Sequence, residues 1–205
     1  MDSRPASLRR LKKARTREAI VASAFRLFES RGFEGTTVEQ IAHAAEVSQR
    51  TFFRYFATKQ AVVFAGHAER VARFRALLEN QRKRRAPVDA VFQVLTEVAH
   101  DYQKRREALL REYRLVQRNP ELIARDVELD YEYEFLVAES LAGRGRPGGR
   151  IPRRARILAG AIFGAVRATM ADWFAGGCRA DLIQLGRQTM AILEAGVRAE
   201  PDEAE

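Results

Sequence analysis

Residues 48–59 hold a run of side chains whose hydrogen-bonding groups complement those of a DNA duplex: Ser48, Gln49, Arg50, Thr51, Arg54 and Lys59. A glutamine pairs bidentately with adenine and an arginine with guanine, each contact discriminating by ~1–3 kcal/mol. The hydroxyls of Ser48, Thr51 and the upstream Thr37 can bond phosphates without reading sequence. Lys59, in the first turn of its helix, would bring an ammonium and free backbone N–H groups to the same phosphates. A plainer reading uses the same residues: Thr37, Ser48 and Thr58 only cap helices, and Arg50 and Arg54 form a solvated face.

The pattern around these groups is helical. Ile20, Ala24, Leu27 and Phe28 fall at i, i+4, i+7 and i+8, and Gly32 follows as a stop. Gly32 and Gly35 frame a turn ending in Thr36-Thr37. Thr37 with Gln40 is a capping-box signature, opening a short helix with Val38, Ile41, Ala42 and Ala45 inward. Glu46, Val47 and Ser48 make the next break. Ser48 can cap a helix over 49–56, and Thr58 another from Lys59 to about Asn80. Two short helices with a three-residue turn between them form a helix-turn-helix pattern. Its apolar seam is Val38, Ile41, Ala42, Val47, Phe52 and Phe56, which leaves Gln49, Arg50 and Arg54 outside.

Helical signals continue through the rest of the chain. Pro87 suits a first turn ahead of Val91, Leu95, Val98 and Tyr102, and Asn119-Pro120-Glu121 is another start. Residues 143–149 are too rich in Gly and Pro for any element. Two last helices follow, over about 152–175 and 181–198, with Gly176-Gly177 between them. Nothing reads as a strand, so the expected fold is all-α. Gly160, Gly164 and Ala168 align on one face with Ala171 or Asp172, a small-residue stripe that suits close helix packing in either a core or an interface.

The formal charge of +9 is unevenly spread. Residues 1–85 hold 19 Lys and Arg against 8 Asp and Glu, a surplus of +11; residues 86–205 come to −2. Arg4, Arg9, Arg10, Lys12, Lys13, Arg15 and Arg17 stand against Asp2 alone in the first 17 residues. A basic segment on a near-neutral body is the footprint of polyanion binding, or else a solubilising tail.

Several classes fall away. The lone Cys178 excludes an internal disulfide framework, and His43, His67 and His100 show no metal-ligand spacing, so no metal or other cofactor is expected. The basic N-terminus lacks an apolar stretch after it, so no secretory signal is expected. The longest apolar run, 157–166, is half what a bilayer crossing needs; no membrane partner and a cytoplasmic setting are expected. No phosphate-binding glycine loop or nucleophile–base spacing suggests an enzyme. An interaction protein binding RNA or a membrane surface is the alternative, but residues 49–55 lack a long aromatic platform.

Residues 13–64 resemble the DNA-binding domain of the tetracycline-repressor (TetR) family of bacterial regulators. The matching stretches are Arg17-Glu18-Ala19-Ile20, Phe25-Arg26-Leu27-Phe28, Arg31-Gly32-Phe33, Thr36-Thr37-Val38, Ile41-Ala42 with Ala45, Val47-Ser48, and Thr51-Phe52-Phe53-Arg54-Tyr55-Phe56 leading into Lys59. The resemblance carries DNA-contact roles to Thr37, Ser48, Gln49, Arg50, Thr51, Tyr55 and Lys59. One position departs: the family usually has a phosphate-touching tyrosine where this chain has Phe53, whose ring can pack on thymine methyls or sugar, while Tyr55 can take over the phosphate.

The resemblance implies a basic tail over 1–13, a helix-turn-helix domain over 14–64, a ligand-binding and dimerisation domain over 65–200, and an acidic tail over 201–205. It implies a homodimer on a palindromic operator in double-stranded DNA, acting as a repressor released by a small-molecule effector. The last two helices would form the dimer interface, through Gly160, Gly164, Ala168, Leu182, Leu185 and Leu193 with Met190, Ile192 and Val197. An effector pocket would lie within 86–175; candidates are Phe92, Tyr102, His100, Asp101, Tyr113, Phe135, Phe163 and Trp173, each of which also suits plain packing or exposure. The C-terminal half is similar to regulators of actinobacterial type that sense acyl-CoA-like molecules. Arg144, Arg146, Arg150, Arg153, Arg154 and Arg156 would meet a phosphorylated ligand or form a solvated loop beside the acidic stretch 126–139.

Overall fold

The computed structural model describes residues 4–143 and 150–195, and all regular structure among them is helical. The all-α expectation holds. Val197, Arg144, Arg146 and the acidic residues of 201–205 lie outside the described residues.

The first helix, α1 (Arg4–Arg31), includes most of the basic segment, which is helical from Arg4 onward. The reason is local: no Gly or Pro interrupts residues 6–31, and Pro5 sits in the first turn, where its missing N–H costs nothing. Gly32 ends α1 at φ +74, with its N–H on the Phe28 carbonyl at 3.0 Å. In the turn beyond, Thr36 is buried and donates to the Gly32 carbonyl at 2.8 Å, while the Phe33 ring packs 5.2 Å from that of Phe28.

Two short helices follow, α2 (Val38–Ala44) and α3 (Gln49–Tyr55). The turn between them is held by the Val47 N–H on the Ala42 carbonyl at 2.9 Å. It places Glu46 at φ +54, in the left-handed region that glycine enters without steric cost. Thr58 caps α4 (Lys59–Val63), its side chain accepting from the Ala61 N–H. Here the expected single helix to about Asn80 is corrected: the chain turns at Phe64–Gly66 and resumes as α5 (His67–Gln81). Phe64 is buried, its carbonyl accepts the His67 N–H at 2.9 Å, and Gly66 has the weakest helix propensity after proline.

One compact unit comprises residues up to Ala68 together with Gln117–Leu122. It is wider than the expected 14–64. Leu122 is fully buried, and the Glu121 carboxylate accepts from Gln60 Nε2 at 2.8 Å, so this later segment completes the unit. Ile20, Ala24, Phe28, Phe33, Ile41, Ala42, Phe52, Phe56, Val62 and Val63 supply its buried apolar residues.

The second unit contains α6 (Pro87–Lys104), α7 (Arg106–Gln117), α8 (Pro120–Leu141), α9 (Arg153–Ala175) and α10 (Leu182–Ala195), with most of α5. One core cluster joins Phe74, Leu78, Val91, Val94, Leu136, Val137, Ala159, Ile162 and Phe163. A second joins Trp173, Cys178 and Leu182, with Tyr102, Leu110 and Phe174 against it. By length and composition α9 could cross a membrane, but Ala155, Ala159, Ile162, Phe163, Thr169 and Trp173 are buried within the unit. The Trp173 indole N–H donates to the Ala180 carbonyl at 3.0 Å, fixing the 176–181 turn. Asp181 then caps α10; the Ile183 and Gln184 backbone N–H groups hold its carboxyl below the usual range.

The left-handed Glu46 makes a stability prediction. A non-glycine residue there costs roughly 1 kcal/mol, partly offset by glycine's greater freedom when unfolded. Glu46→Gly should raise the thermal midpoint by about 1–3 °C, and Glu46→Val should lower it. Circular dichroism melts check this; equal midpoints would mean the turn carries no strain.

Candidate nucleic-acid interface

The burial of Phe52 decides which way α3 faces. Its ring is fully inside, 5.9 Å from that of buried Phe56, against a core that includes Ile20 and Ile41. Arg50 and Arg54, two positions either side of Phe52 on a 3.6-residue repeat, must then point away. Gln49, Arg50 and Arg54 are exposed, as is Phe53 at 53%. The expected seam is present: Ile41, Ala42, Phe52 and Phe56 are buried, with Val38 and Val47 half-buried.

The three threonine and serine caps are all real. Thr37 Oγ1 accepts from the Gln40 N–H at 3.2 Å, and the Gln40 side chain accepts from the Thr37 N–H at 3.0 Å. Ser48 Oγ accepts from the Thr51 N–H and donates to Thr51 Oγ1, both at 3.1 Å. A hydroxyl that accepts at a cap still has a proton to give. Capping and phosphate contact are therefore compatible at Thr37, and at Thr51 the receiving hydroxyl keeps its proton. Tyr55 is half-buried, with the Arg54 guanidinium 5.4 Å from its ring centre.

Two expected phosphate ligands have work inside the unit. The Lys59 ammonium donates to the Phe33 carbonyl at 2.6 Å and sits 4.1 Å over the Phe33 ring. Arg17 donates to the Ala65 carbonyl and lies 5.5 Å over the Phe56 ring. Arg15, two residues earlier, is exposed.

In the second unit the aromatic candidates mostly pack. Phe135 is 53% exposed, because its neighbours Leu136 and Val137 take the core side of α8. His100 is exposed, Trp173 is core, Tyr113 stacks on Phe174 at 4.2 Å, and Phe92 packs against the first cluster. Phe163 is buried there too. Asp101 pairs with Arg73. Leu182 is buried beside Trp173 and Cys178, while Leu185 and Leu193 are half-buried against the two clusters. Gly160 leaves room for Glu134, whose Oε1 lies 3.4 Å from where a Cβ would be, whereas Gly164 opens onto space and Ala168 is exposed.

A polar cluster that the sequence did not suggest brings five helices together. Arg70 of α5 lies 3.6 Å from Glu112 of α7 and donates to the Tyr133 hydroxyl of α8, with Tyr102 of α6 close by. Arg167 of α9 lies 3.6 Å from Glu134 of α8. Burial pushes the Asp130 carboxyl up to about 6, helped by Asp126 and opposed by Arg167. Glu112 is also raised, first by burial and against the pull of Arg70. The readable signal was Asp126, Asp130 and Glu134 at i, i+4 and i+8, a like-charge stripe that an isolated helix disfavours. At the α6–α7 junction, Lys104, Arg105, Arg106 and Arg111 line a cleft of about 460 Å³ with Glu107.

Comparison with known proteins accounts for both units. Residues 20–65 match the family model for bacterial regulatory proteins of the tetR family, and residues 85–198 match that of the MftR C-terminal domain. The HTH-type transcriptional regulator TcmR of Streptomyces glaucescens is 34% identical over 174 residues, covering 82% of this chain and 76% of that protein. The crystal structure of Thermus thermophilus FadR, a TetR-family transcriptional repressor in complex with lauroyl-CoA, is 27% identical with a TM-score of 0.58, covering 92% and 98% of the two chains. FadR from Bacillus subtilis in complex with stearoyl-CoA shares the fold, with 21% identity, a TM-score of 0.61 and coverage of 88% and 99%. With an outward Gln-Arg pair on a helix-turn-helix whose sequence and fold both match, the chain belongs to the tetR family of bacterial regulatory proteins and is a DNA-binding transcriptional regulator.

Proposed function

We propose that the chain is a cytoplasmic, homodimeric repressor that reads a palindromic operator through α3 and leaves it when an acyl-CoA-like effector binds. The observation that carries the DNA part is the placement of Gln49 and Arg50, exposed on the helix whose Phe52 is wholly buried. A rigid scaffold holds those two side chains where base edges can meet them. Thr37, Thr51 and Tyr55 position the duplex, Ser48 holds the Thr51 hydroxyl in place, and Arg15 adds charge along α1. Lys59 and Arg17 act first as internal ties. No catalysis belongs to this reading.

The homodimer rests on α9 and α10. Opposite its buried stripe, α9 exposes Ile157, Ala161, Ala168 and Ala171 around the open Gly164, and α10 exposes Ile192 at 72%. Small residues let two backbones approach closely, and a second copy offers the same surface about a two-fold axis. Half-sites would then lie about 34–36 Å apart.

The effector reading draws on the lauroyl-CoA bound by the Thermus relative. In this chain the Arg70–Glu112–Tyr133 cluster would receive the effector's polar groups, since a desolvated ion pair contributes little to stability by itself. The basic cleft at Lys104–Arg106 suits phosphates. The effector must bind the DNA-incompetent state better, since only differential affinity moves the equilibrium.

Three measurements test these points. On an operator selected from random DNA, Arg50→Ala should relax preference at one base pair by ~1–3 kcal/mol; Arg15→Ala should weaken all sequences alike and flatten the salt slope by about one. The same effect of both on cognate and random DNA would remove α3 from base reading. Gly164→Leu, whose Cβ would meet nothing within 4 Å among the described residues, should keep the helical circular dichroism but weaken the dimer at least tenfold by sedimentation, on the order of the 1.4 kcal/mol that a clash readily supplies. Unchanged sedimentation would place the dimer elsewhere. Lauroyl-CoA should loosen operator binding; saturable binding without loss of operator affinity would refute release by this class.

A further inference from the structure

Phe53 is the large apolar side chain that α3 leaves in the open, 53% exposed while Phe52 beside it is fully buried. Its place is not incidental. It stands four residues after Gln49 and three after Arg50, so it shares their face one turn further along. The ring is also held: it meets Phe52 edge-on, centres 5.5 Å apart and planes at 87°. Phe52 is fully buried in the core, and its edge contact favours this outward orientation of Phe53.

A phenyl ring has no donor or acceptor and can make no phosphate hydrogen bond. Within the major groove the apolar group available to it is the C5-methyl of thymine, while the deoxyribose lines the wall. We propose that Phe53 is a specificity residue that recognises a thymine methyl next to the base pairs read by Gln49 and Arg50. Phe53 thereby distinguishes thymine from cytosine by an apolar contact, and a hydroxyl at this position would replace that contact with a sequence-blind one. The proposal rests on α3 being the base-reading helix, which has its own control below.

The test needs no variant to begin. A duplex is selected from a random-sequence library by the full-length protein, and each thymine is replaced in turn by deoxyuridine, which removes the methyl and nothing else. Wild-type protein should lose roughly four- to tenfold in affinity at one thymine per half-site, the loss expected for one methyl withdrawn from apolar contact. Phe53→Ala, which removes the contact in both half-sites, should lose about the square of that factor on the unmodified duplex and be indifferent to deoxyuridine at that position. Phe53→Leu, still apolar, should remain sensitive. A selected site with no common thymine, no deoxyuridine effect in wild type, or undiminished sensitivity in Phe53→Ala would each overturn the assignment. Arg50→Ala on the same duplexes separates the two failures. If it alters base preference while methyl removal does nothing, Phe53 packs on sugar and only this proposal falls; if neither matters, α3 does not read bases and both fall.

Discussion

The burial of Phe52 is the contact on which the rest of the first unit depends. A phenylalanine ring with no exposed surface is worth about 3–5 kcal/mol when truncated, a large share of a domain's stability. That energy is spent between a seven-residue helix and its neighbours, and α3 is too short to be stable otherwise. Once Phe52 is inside, helical geometry turns Arg50 and Arg54 outward, and Gln49 and Phe53 are exposed between them. The outward face follows from the inward one.

Charge is handled differently in the two units. In the first, cations that are not exposed are tied to backbone carbonyls and aromatic faces, Lys59 at Phe33 and Arg17 at Ala65 and Phe56. These are cheap partners for a cation and they pin the loops that bracket the helix-turn-helix. In the second unit Arg70, Glu112, Asp130 and Tyr133 gather where burial already lifts the carboxyls. Such a cluster is costly unless something polar completes it, which is why it stands at the centre of the effector reading.

Local signals served the first unit well. The capping pairs at Thr37, Ser48 and Thr58 and the stop at Gly32 depend on residues within four positions, and all four are where the pattern placed them. Errors came where a distant partner outweighed local preference. The helix from Lys59 breaks at a buried Phe64. That Phe135 is exposed and Leu182 buried was not legible either, because which face of a helix is buried depends on what packs there. The polar cluster is not legible in the sequence because Arg70, Tyr102, Glu112 and Tyr133 come from four helices that only packing brings together.

By itself the sequence determined the all-helical class, the helix-turn-helix, its caps, its seam and the concentration of positive charge at one end. All of these are set by spacing within a turn or two of helix. Only the tertiary structure decided that Lys59 and Arg17 are internal ties, and that Arg70 and Glu112 meet. Those depend on contacts between residues far apart in the chain, whose energies appear only when packing removes them from water.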